Sequence, residues 1–441
     1  MGRGSSSKES AITPAHAPAI PVPLSDANAA GSVRGLLAAG GITSHYQPIV
    51  DIDSDSVVAY EALARGPVGT ALASPDVMFA EARRQRLLPE LDLACRVAAL
   101  TGAERAGLLA PWTLFVNTEP ETAENTLVSL TRASVPDVDR RAVRVIVELT
   151  ERTLTSDPVQ LLRLVDRIRA RGWGIALDDV GVNRSSLALL PLLHPDVIKL
   201  DLRLIQQQPT AQIAEIVGAV NAEAERAGTT VLAEGIETAE HVLVARALGA
   251  TLGQGWFYGQ PGPLPQPLPP FNGTAVRVAA RVPRDRLGTP FELAAAAQRT
   301  PRTATKPMLI ELSKHLERQA LSAGETAVII STFQHATMFT PATQRRYRQL
   351  VASAAFVGVL GEDILEEPLP GVRGGRLEPG DPLLEEWDIA VIGPHYAATL
   401  ISRDLGGDIN DPNRRFAFML SHNRELVVSV AGYLMERITA V

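Results

Sequence analysis

Short apolar runs alternate with longer amphipathic stretches over about residues 32–261, and this pattern predicts the architecture of the first part of the chain. The apolar runs are typical of buried β-strands. There are eight of them, at 44–52, 57–64, 113–117, 143–149, 173–179, 196–201, 229–235 and 250–257. Between them, apolar residues recur at helical spacing, as at Leu161, Leu164, Val165 and Ile168. Strands that alternate with helices predict a largely parallel sheet, and eight strands are the number that a (β/α)8 barrel requires.

The first connection distinguishes this barrel from an all-parallel one. The first two apolar runs are joined by the polar stretch 53–56, which is too short for the crossover helix that parallel strands need. We therefore expect an antiparallel hairpin. The fold class is α/β, with a TIM-like barrel whose first strand runs opposite to the others.

The proline pattern divides the chain into domains. Six prolines fall within 261–270, and such a segment favours an extended linker over a helix or a central strand. We assign 32–262 to the barrel, 263–289 to a proline-rich linker, and 290–441 to a smaller α/β domain with a helix over 306–323 and strands over 326–331, 356–360 and 389–393. Residues 1–31 are rich in Ser, Ala and Pro, which predicts a disordered tail.

Charge and cysteine content exclude several classes of protein. The 441 residues carry a formal net charge of -7, so we expect no DNA partner. Cys95 is the only cysteine, which excludes an intrachain disulfide and a thiolate zinc cluster and fits a cytoplasmic location. The apolar runs are too short to span a bilayer, and the start of the chain has no apolar segment of signal-peptide length, so we expect no membrane span.

Polar side chains stand where the strand-like runs end. The active site of a barrel is built from the carboxyl ends of its strands. The residues at these positions are Glu61, Asn117, Glu148, Asp178, Asp179, Lys199, Asp201, Glu234 and Gln254. A single acid after a strand is usually a helix cap or a solvated loop charge, but capping does not account for polar residues at seven strand ends.

Five of these acids would meet in one barrel mouth, opposed only by Lys199. Carboxylates crowded in this way need bound cations, and two divalent ions would offset their charge. Oxygen ligands without His or Cys favour Mg²⁺ or Mn²⁺ over zinc. Two metals suit the hydrolysis of a phosphodiester, in which Lys199 would orient water or offset charge and Asn117 would complete a metal shell. The alternative for Lys199 is a strand lysine that extends outward to solvent.

The order and spacing of these motifs resemble the EAL domain, the cyclic di-GMP phosphodiesterase module of bacterial signalling. The matching stretches cover about 32–262 and are YQPIVD, YEALARG, FVN, VELTE, ALDDVG, IKLD, AEGIE and GQGWFYGQP. The resemblance implies a barrel that hydrolyses cyclic di-GMP to linear pGpG with two Mg²⁺ or Mn²⁺ ions. It also implies a homodimer formed through the barrel.

The resemblance also implies a role for each matching residue. Glu61 and Lys199 would act in catalysis together with Gln254, as partners of the metal or the catalytic water. Glu151 and Glu237 would support the catalytic loop and the metal site. Gln47 and Arg65 would lie at the substrate. The implied metal ligands are Glu61, Asn117, Glu148, Asp178, Asp179 and Glu234.

One loop departs from the family pattern. Where the family usually has F-G-T-G before S-S-L, this chain has Val180-Gly181-Val182-Asn183-Arg184 before Ser185-Ser186-Leu187. No implied metal ligand is lost, so hydrolysis is the first hypothesis. The alternative is a catalytically weak or inactive EAL domain that acts as a cyclic di-GMP receptor. A barrel that binds only protein is the third hypothesis.

Residues 290–441 resemble the DICT domain, a sensory module, through stretches such as STFQHATMFTPATQRRYRQLV and EEWDIAVIGPHYAATLISRDLG. This resemblance implies regulation of the barrel by an unknown ligand. Trp387, His395 and Arg345-Arg346 could line a ligand pocket, although such residues more often belong to a core or a solvated helix face.

Overall fold

The first domain of the computed structural model is a closed barrel of eight strands in the order β1 to β8. The structure describes residues 32–119, 143–150, 157–279, 288–406, 411 and 413–439. The predicted disordered tail, 1–31, lies outside these residues. The strands are β1 (Thr43–Asp51), β2 (Ser56–Arg65), β3 (Thr113–Asn117), β4 (Arg144–Thr150), β5 (Gly174–Val180), β6 (Val197–Leu200), β7 (Thr230–Ala233) and β8 (Leu252–Gln254).

The reversed first strand that the sequence predicts is confirmed. Strand β1 pairs antiparallel with both β2 and β8, and the pairs from β2 to β8 are all parallel. The Asp51 carboxylate holds the tight turn between β1 and β2, since its Oδ1 accepts hydrogen bonds from the backbone N–H groups of Asp53 and Ser54, each at 3.1 Å. The hairpin thus closes the barrel by placing β1 between β2 and β8.

Helices cover the outside of the barrel. They are α1 (Val33–Ala38), α2 (Pro75–Gln85), α3 (Leu88–Arg105), α4 (Pro158–Arg169), α5 (Leu190–Leu193), α6 (Leu202–Gln206), α7 (Ala211–Ala227) and α8 (Ala239–Ala247). Helix α4 shows how the sequence sets these elements. The Asp157 side chain caps its first turn by accepting from the N–H groups of Val159 and Gln160, and the apolar residues at helical spacing face the barrel and are buried.

The chain that follows β8 packs across the bottom of the barrel, at the amino ends of the parallel strands. Val276 is buried together with the inward-facing residues of the barrel, among them Ile146 and Val197. Phe271 contacts the ring of Trp112 edge-on at 5.1 Å between centroids, and the N–H of Ala279 donates to Asp196 Oδ1 at 2.8 Å. Residues 271–279 therefore close the lower end of the barrel.

The second domain is α/β, as the sequence predicts, and its sheet has seven strands of mixed direction, four more than the three predicted. The strand order is β12-β11-β10-β13-β14-β15-β9. The strands are β9 (Arg302–Thr305), β10 (Val328–His335), β11 (Phe356–Glu362), β12 (Arg373–Arg376), β13 (Ile389–Ile392), β14 (Ala397–Asp404) and β15 (Arg415–Ser421). The helices are α9 (Pro290–Ala296), α10 (Lys306–Ala323), α11 (Pro341–Val351) and α12 (Arg424–Glu436).

The two domains share buried apolar surface. Helix α12 packs against the barrel helices α4 and α5, and residues of both domains belong to one cluster of buried hydrophobic side chains. A polar contact lies beside this interface, where Arg163 Nη2 donates to the carbonyl oxygen of Glu436 at 3.4 Å. Among the helices that the structure describes, none is both long and apolar enough to cross a membrane.

Candidate active site

The barrel topology brings the predicted strand-end residues together at the upper mouth of the barrel. Lys199, on β6, is the centre of the group, with its side chain only 1% exposed. Its Nζ lies 2.7 Å from an oxygen of Glu148, 2.7 Å from one of Glu234, 2.9 Å from one of Asp178 and 3.7 Å from one of Glu61. The interpretation of Lys199 as an outward-facing lysine is therefore wrong, because the alternation of β6 turns Ile198 and Leu200 outward and Lys199 inward.

Hydrogen bonds fix the orientation of Glu61. Its Oε1 accepts from Asn117 Nδ2 at 2.9 Å, and its Oε2 accepts from Gln254 Nε2 at 2.6 Å. Gln254 Nε2 also lies 3.1 Å from Gln47 Oε1, and Gln47 donates in turn to the carbonyl oxygen of Gly259. Three strands that are distant in sequence thus hold one carboxylate in a single orientation.

The charges of Lys199 and Glu61 stabilise each other. Burial alone would lower the pKa of Lys199, but the surrounding carboxylates raise that pKa well above its usual value. Burial alone would raise the pKa of Glu61, but Lys199 and the amide hydrogen bonds lower it. The ammonium and this carboxylate are therefore both charged at neutral pH.

The positive charge of the described residues does not offset the charge of the other acids. Burial and the charges of Glu61 and Asp178 raise the pKa of Glu148 well above its usual range, against the opposing effect of Lys199. Burial also raises the pKa of Glu234 to about 8, although Lys199 opposes the shift. Without bound cations, protons on Glu148 and Glu234 relieve the crowding of negative charge, and divalent cations would instead favour the charged forms of both side chains.

Three carboxylates have the geometry of a metal site. Oxygens of Asp178, Asp179 and Glu234 all lie within 4.8 Å of one another. Successive side chains of a strand normally point to opposite faces, but Asp179 adopts a left-handed backbone with φ 56°, which lets both aspartates face the mouth. Glu148 is fully buried and its Oε2 has no hydrogen-bond partner among the described residues. The donor set, all oxygen, fits Mg²⁺ or Mn²⁺.

A cavity of about 930 Å³ opens beside these groups. Glu61, Asn117, Asp179 and Arg65 line it, and Arg65 is half-buried with its Nη1 donating to the carbonyl oxygen of Ala64. The cavity is large enough for a dinucleotide-sized ligand, since small-molecule sites typically measure about 300–1,000 Å³.

Helices α2 and α3 contribute cavity residues that the sequence analysis missed. Arg96 is buried and donates to Asp92 Oδ2 at 2.7 Å and to Thr118 Oγ1 at 2.9 Å, and Arg83 pairs with Glu119 at 2.7 Å. The available signal was the charged pair Asp92 and Arg96 on a helix face that is otherwise apolar.

Two of the predicted site residues, Glu237 and Glu151, have no contact with the carboxylates that the structure describes. Glu237 is exposed in the turn after β7, where its backbone N–H donates to His241 Nδ1 at 3.2 Å. Its role in supporting the metal site stays a prediction. Glu151 lies outside the described residues, so its predicted role also stays a prediction.

The divergent loop after the paired aspartates contacts the second domain. Asn183 caps the short turn Arg184–Ala188 by accepting from the N–H of Ser185. Arg184 then forms ion pairs with Glu215 of α7 and, at 3.0 Å, with Glu325 of the second domain. Only four residues separate Asp179 from this arginine.

Comparison with known proteins gives two family matches and several relatives. The model of the EAL domain matches residues 30–261, and the model described as the sensory domain in diguanylate cyclases and two-component systems (DICT) matches residues 291–405. The cyclic di-GMP phosphodiesterase NbdA of Pseudomonas aeruginosa is 32% identical over 239 residues, which cover 50% of this chain and 29% of that protein. The cyclic di-GMP phosphodiesterase RocR of the same organism is 30% identical over 240 residues, covering 52% of this chain and 60% of that protein.

The chain therefore spans less than two thirds of the length of these curated relatives. Among solved structures, a calcium and cyclic di-GMP complex of BlrP1 from Klebsiella pneumoniae is similar with 28% identity and a TM-score of 0.45, covering 50% of this chain and 56% of that one. The match of the EAL model extends over more than half of the sequence. This chain belongs to the EAL-domain family.

Proposed function

We propose that the barrel hydrolyses cyclic di-GMP to linear pGpG with two Mg²⁺ or Mn²⁺ ions. The observation that carries the proposal is the buried group of carboxylates around Lys199, whose negative charge the described protein groups do not offset. The names of the relatives NbdA and RocR supply the substrate. Carboxylates and metal ions can act on a phosphodiester, but they do not by themselves select guanine.

In this reaction, water adds to one phosphorus atom and the bond from that phosphorus to a 3′ oxygen breaks. The hydroxyl of the water stays on phosphorus, and its proton leaves with the 3′ oxygen. Two bound divalent ions would supply an activated water and offset charge on the phosphoryl oxygens. Glu61, Glu148, Asp178, Asp179, Glu234 and Asn117 would hold them.

The side chains of the protein orient the reacting groups. The Lys199 ammonium remains charged at the centre of the site and can donate a hydrogen bond to the attacking water or to a phosphoryl oxygen as charge develops. Gln254 and Asn117 keep Glu61 in one orientation, which reduces the reorganisation needed during the reaction. Arg65, which lines the cavity, would contact a phosphate of the substrate, and Gln47 would hold Gln254 at the substrate.

The test is hydrolysis of cyclic di-GMP by the purified chain with Mn²⁺, followed by chromatography of pGpG. We expect multiple turnovers, their loss in EDTA, and a loss of at least a hundredfold in Glu61→Gln. The matched control is Glu90→Gln, which makes the same change on the exposed start of α3. Equal activity of the Glu61 variant and the unmodified chain would contradict the proposal.

A receptor that binds cyclic di-GMP with little turnover is the second candidate. The loop 180–187 favours it, because Val182 and Asn183 replace the usual residues of the family beside Asp179. Binding of cyclic di-GMP in the presence of Ca²⁺ together with less than one turnover in Mn²⁺ would support the receptor. Sustained turnover would exclude it.

We further propose that the second domain regulates the barrel through the loop that follows Asp179. The support is the Arg184 to Glu325 ion pair, together with the packing of the turn Arg184–Ala188 against the short turn Gly324–Thr326 of the second domain. Glu325→Gln should change kcat, whereas Glu378→Gln, at an exposed site away from the loop, should not. Equal kcat values for both variants would refute this route.

The remaining assignments are a homodimer through the barrel and a cytoplasmic location. The dimer is supported only by the family resemblance, and sedimentation analysis of the purified chain tests it. The cytoplasmic location is supported by the single cysteine, Cys95, which precludes an intrachain disulfide.

A further inference from the structure

A second cavity, of about 370 Å³, lies in the second domain between helix α10 and the sheet. Helix α10 lines it with Lys306, Ile310, Ser313, Lys314 and Glu317. Their spacing of four, seven, eight and eleven residues from the first places all of them on one helix face. The cavity therefore lies along one face of this helix, where the helix crosses the sheet. Its volume is within the range of small-molecule sites.

The sheet side of this cavity is aromatic. Trp387 and Phe416 line it with their rings edge-on, 5.8 Å between centroids and at 84°. Phe333 also lines it and packs against Phe339 at 5.1 Å. Rings held in this way offer a rigid apolar surface for a flat molecule. Of the pocket residues suggested by the sequence, Trp387 and Arg346 line this cavity, and Arg345 and His395 are not among its lining residues.

One buried polar group that lines the cavity, the Ser313 hydroxyl, has no hydrogen-bond partner in the part of the chain that the structure describes. The Ser313 side chain belongs to a residue that is 5% exposed, and its Oγ makes no hydrogen bond with the described residues. A buried hydroxyl without a partner is unfavourable. A polar atom of a bound molecule would satisfy it, which is a reason to regard the cavity as a binding site and not as a packing defect.

The charges around the cavity favour an anion. Lys306, Lys314, Arg346 and Arg414 line it, and Glu317 is the only acid among the lining residues. Both Glu317 oxygens already accept hydrogen bonds from Arg346. Lys314 pairs with Glu311 at 2.7 Å, and Arg414 pairs with Asp404. An ammonium has three N–H donors and a guanidinium has five, so donors remain for an anionic group at the cavity.

We propose that this cavity is the ligand site of the second domain and that it binds a small organic anion with a flat apolar body. The aromatic rings would contact the body of the ligand. Ser313 would hydrogen-bond to a polar atom of the ligand, and the lysine ammonium groups would attract its negative group. The proposal is independent of the activity of the barrel, so its test needs no turnover.

The test uses 8-anilinonaphthalene-1-sulfonate, an aromatic sulfonate whose fluorescence rises when it leaves water. Titration into the full chain should show one saturable site that Ser313→Leu weakens at least tenfold, because leucine fills the cavity. Ser322→Leu is the matched control, since it makes the same change on the exposed side of α10. Met338→Trp, at a half-buried lining residue, gives a second blocking variant if Ser313→Leu does not fold.

The neutral analogue N-phenyl-1-naphthylamine tests the charge. It should bind at least fivefold more weakly than the sulfonate, and Lys314→Met should reduce this difference. The proposal would be overturned by the absence of a saturable site in the unmodified chain, by unchanged sulfonate binding in both blocking variants, or by equal affinity for the neutral and the anionic probe.

Discussion

Substitution of Lys199 by methionine tests the physical basis of the candidate active site. The side chain is buried, and its Nζ lies within 3 Å of oxygens from Glu148, Asp178 and Glu234. Methionine preserves most of the apolar stem and removes the ammonium. The carboxylates then lose their one shared partner while the fold still holds them together.

The expected cost follows from the burial of these groups. Removing one member of a buried ion pair typically destabilises a protein by about 3–5 kcal/mol. For a folded unit the size of the barrel, about 1 kcal/mol changes the melting temperature by roughly 2–4 °C. In EDTA, Lys199→Met should therefore melt about 6–20 °C below the unmodified chain.

Divalent ions should recover part of this loss. A ligand at a hundred times its Kd stabilises the folded state by about 2.7 kcal/mol per site, and both chains gain this stabilisation. The gap narrows because the carboxylates of Lys199→Met, which lack the ammonium, attract the ions more strongly than those of the unmodified chain. The measurement is a thermal melt of both chains in EDTA and in excess Mn²⁺, with Lys314→Met as a partly exposed lysine control. If Lys199→Met melts normally in EDTA, or if Mn²⁺ leaves the gap unchanged, the carboxylates are not held together against their own repulsion.

Three further predictions concern the pH, a buried tyrosine and a glycine. Burial raises the pKa of Glu234 from 4.5 to about 8, so between these pH values the folded metal-free chain binds more protons than the unfolded chain. The urea concentration at the unfolding midpoint should therefore decrease as the pH is raised from 5 to 8. Saturating Mn²⁺ should make this decrease smaller. Tyr46→Phe removes a hydroxyl that donates to the carbonyl oxygen of Ala99 at 2.9 Å and should lower the free energy of unfolding by about 1 kcal/mol in urea titrations. In Gly255→Ala, the new Cβ would lie 2.1 Å from the carbonyl oxygen of Ile236, and residue 255 has a φ of +153°. The end of β8 must therefore move. We expect kcat to fall at least tenfold while the far-ultraviolet circular dichroism spectrum is preserved.

The strands of the barrel could be predicted because each is a continuous apolar run flanked by polar residues. Helix α10 was likewise predicted over 306–323, the bounds it has in the structure. Strand β12 was not, since its sequence is Arg-Gly-Gly-Arg. A Cβ at Gly374 would lie 1.8 Å from the carbonyl oxygen of Leu365, and one at Gly375 would lie 2.2 Å from that of Arg437. The backbone packs so closely there that side chains, and with them the hydrophobic pattern, are excluded.

The candidate site could be predicted where barrel topology alone determines position. Residues at the ends of parallel strands must meet at one mouth, which is why Glu148 and Glu234 could be grouped from the sequence. Position in a turn or on a helix is not constrained in this way. Glu237 follows β7 by only four residues, yet its side chain is exposed. Whether the Arg96 side chain faces the cavity depends on how α3 is rotated about its axis.

The stretch 271–279 gives the connection between the domains a second role. It covers the lower opening of the barrel, where Val276 packs with Ile146, Val197 and the other inward-facing residues. A barrel severed just after β8 would admit water to that opening and expose side chains that are now dry. An exchange of the second domain for another would therefore have to leave the chain intact through Ala279, so the usable junction lies at least 25 residues beyond Gln254, the last residue of β8.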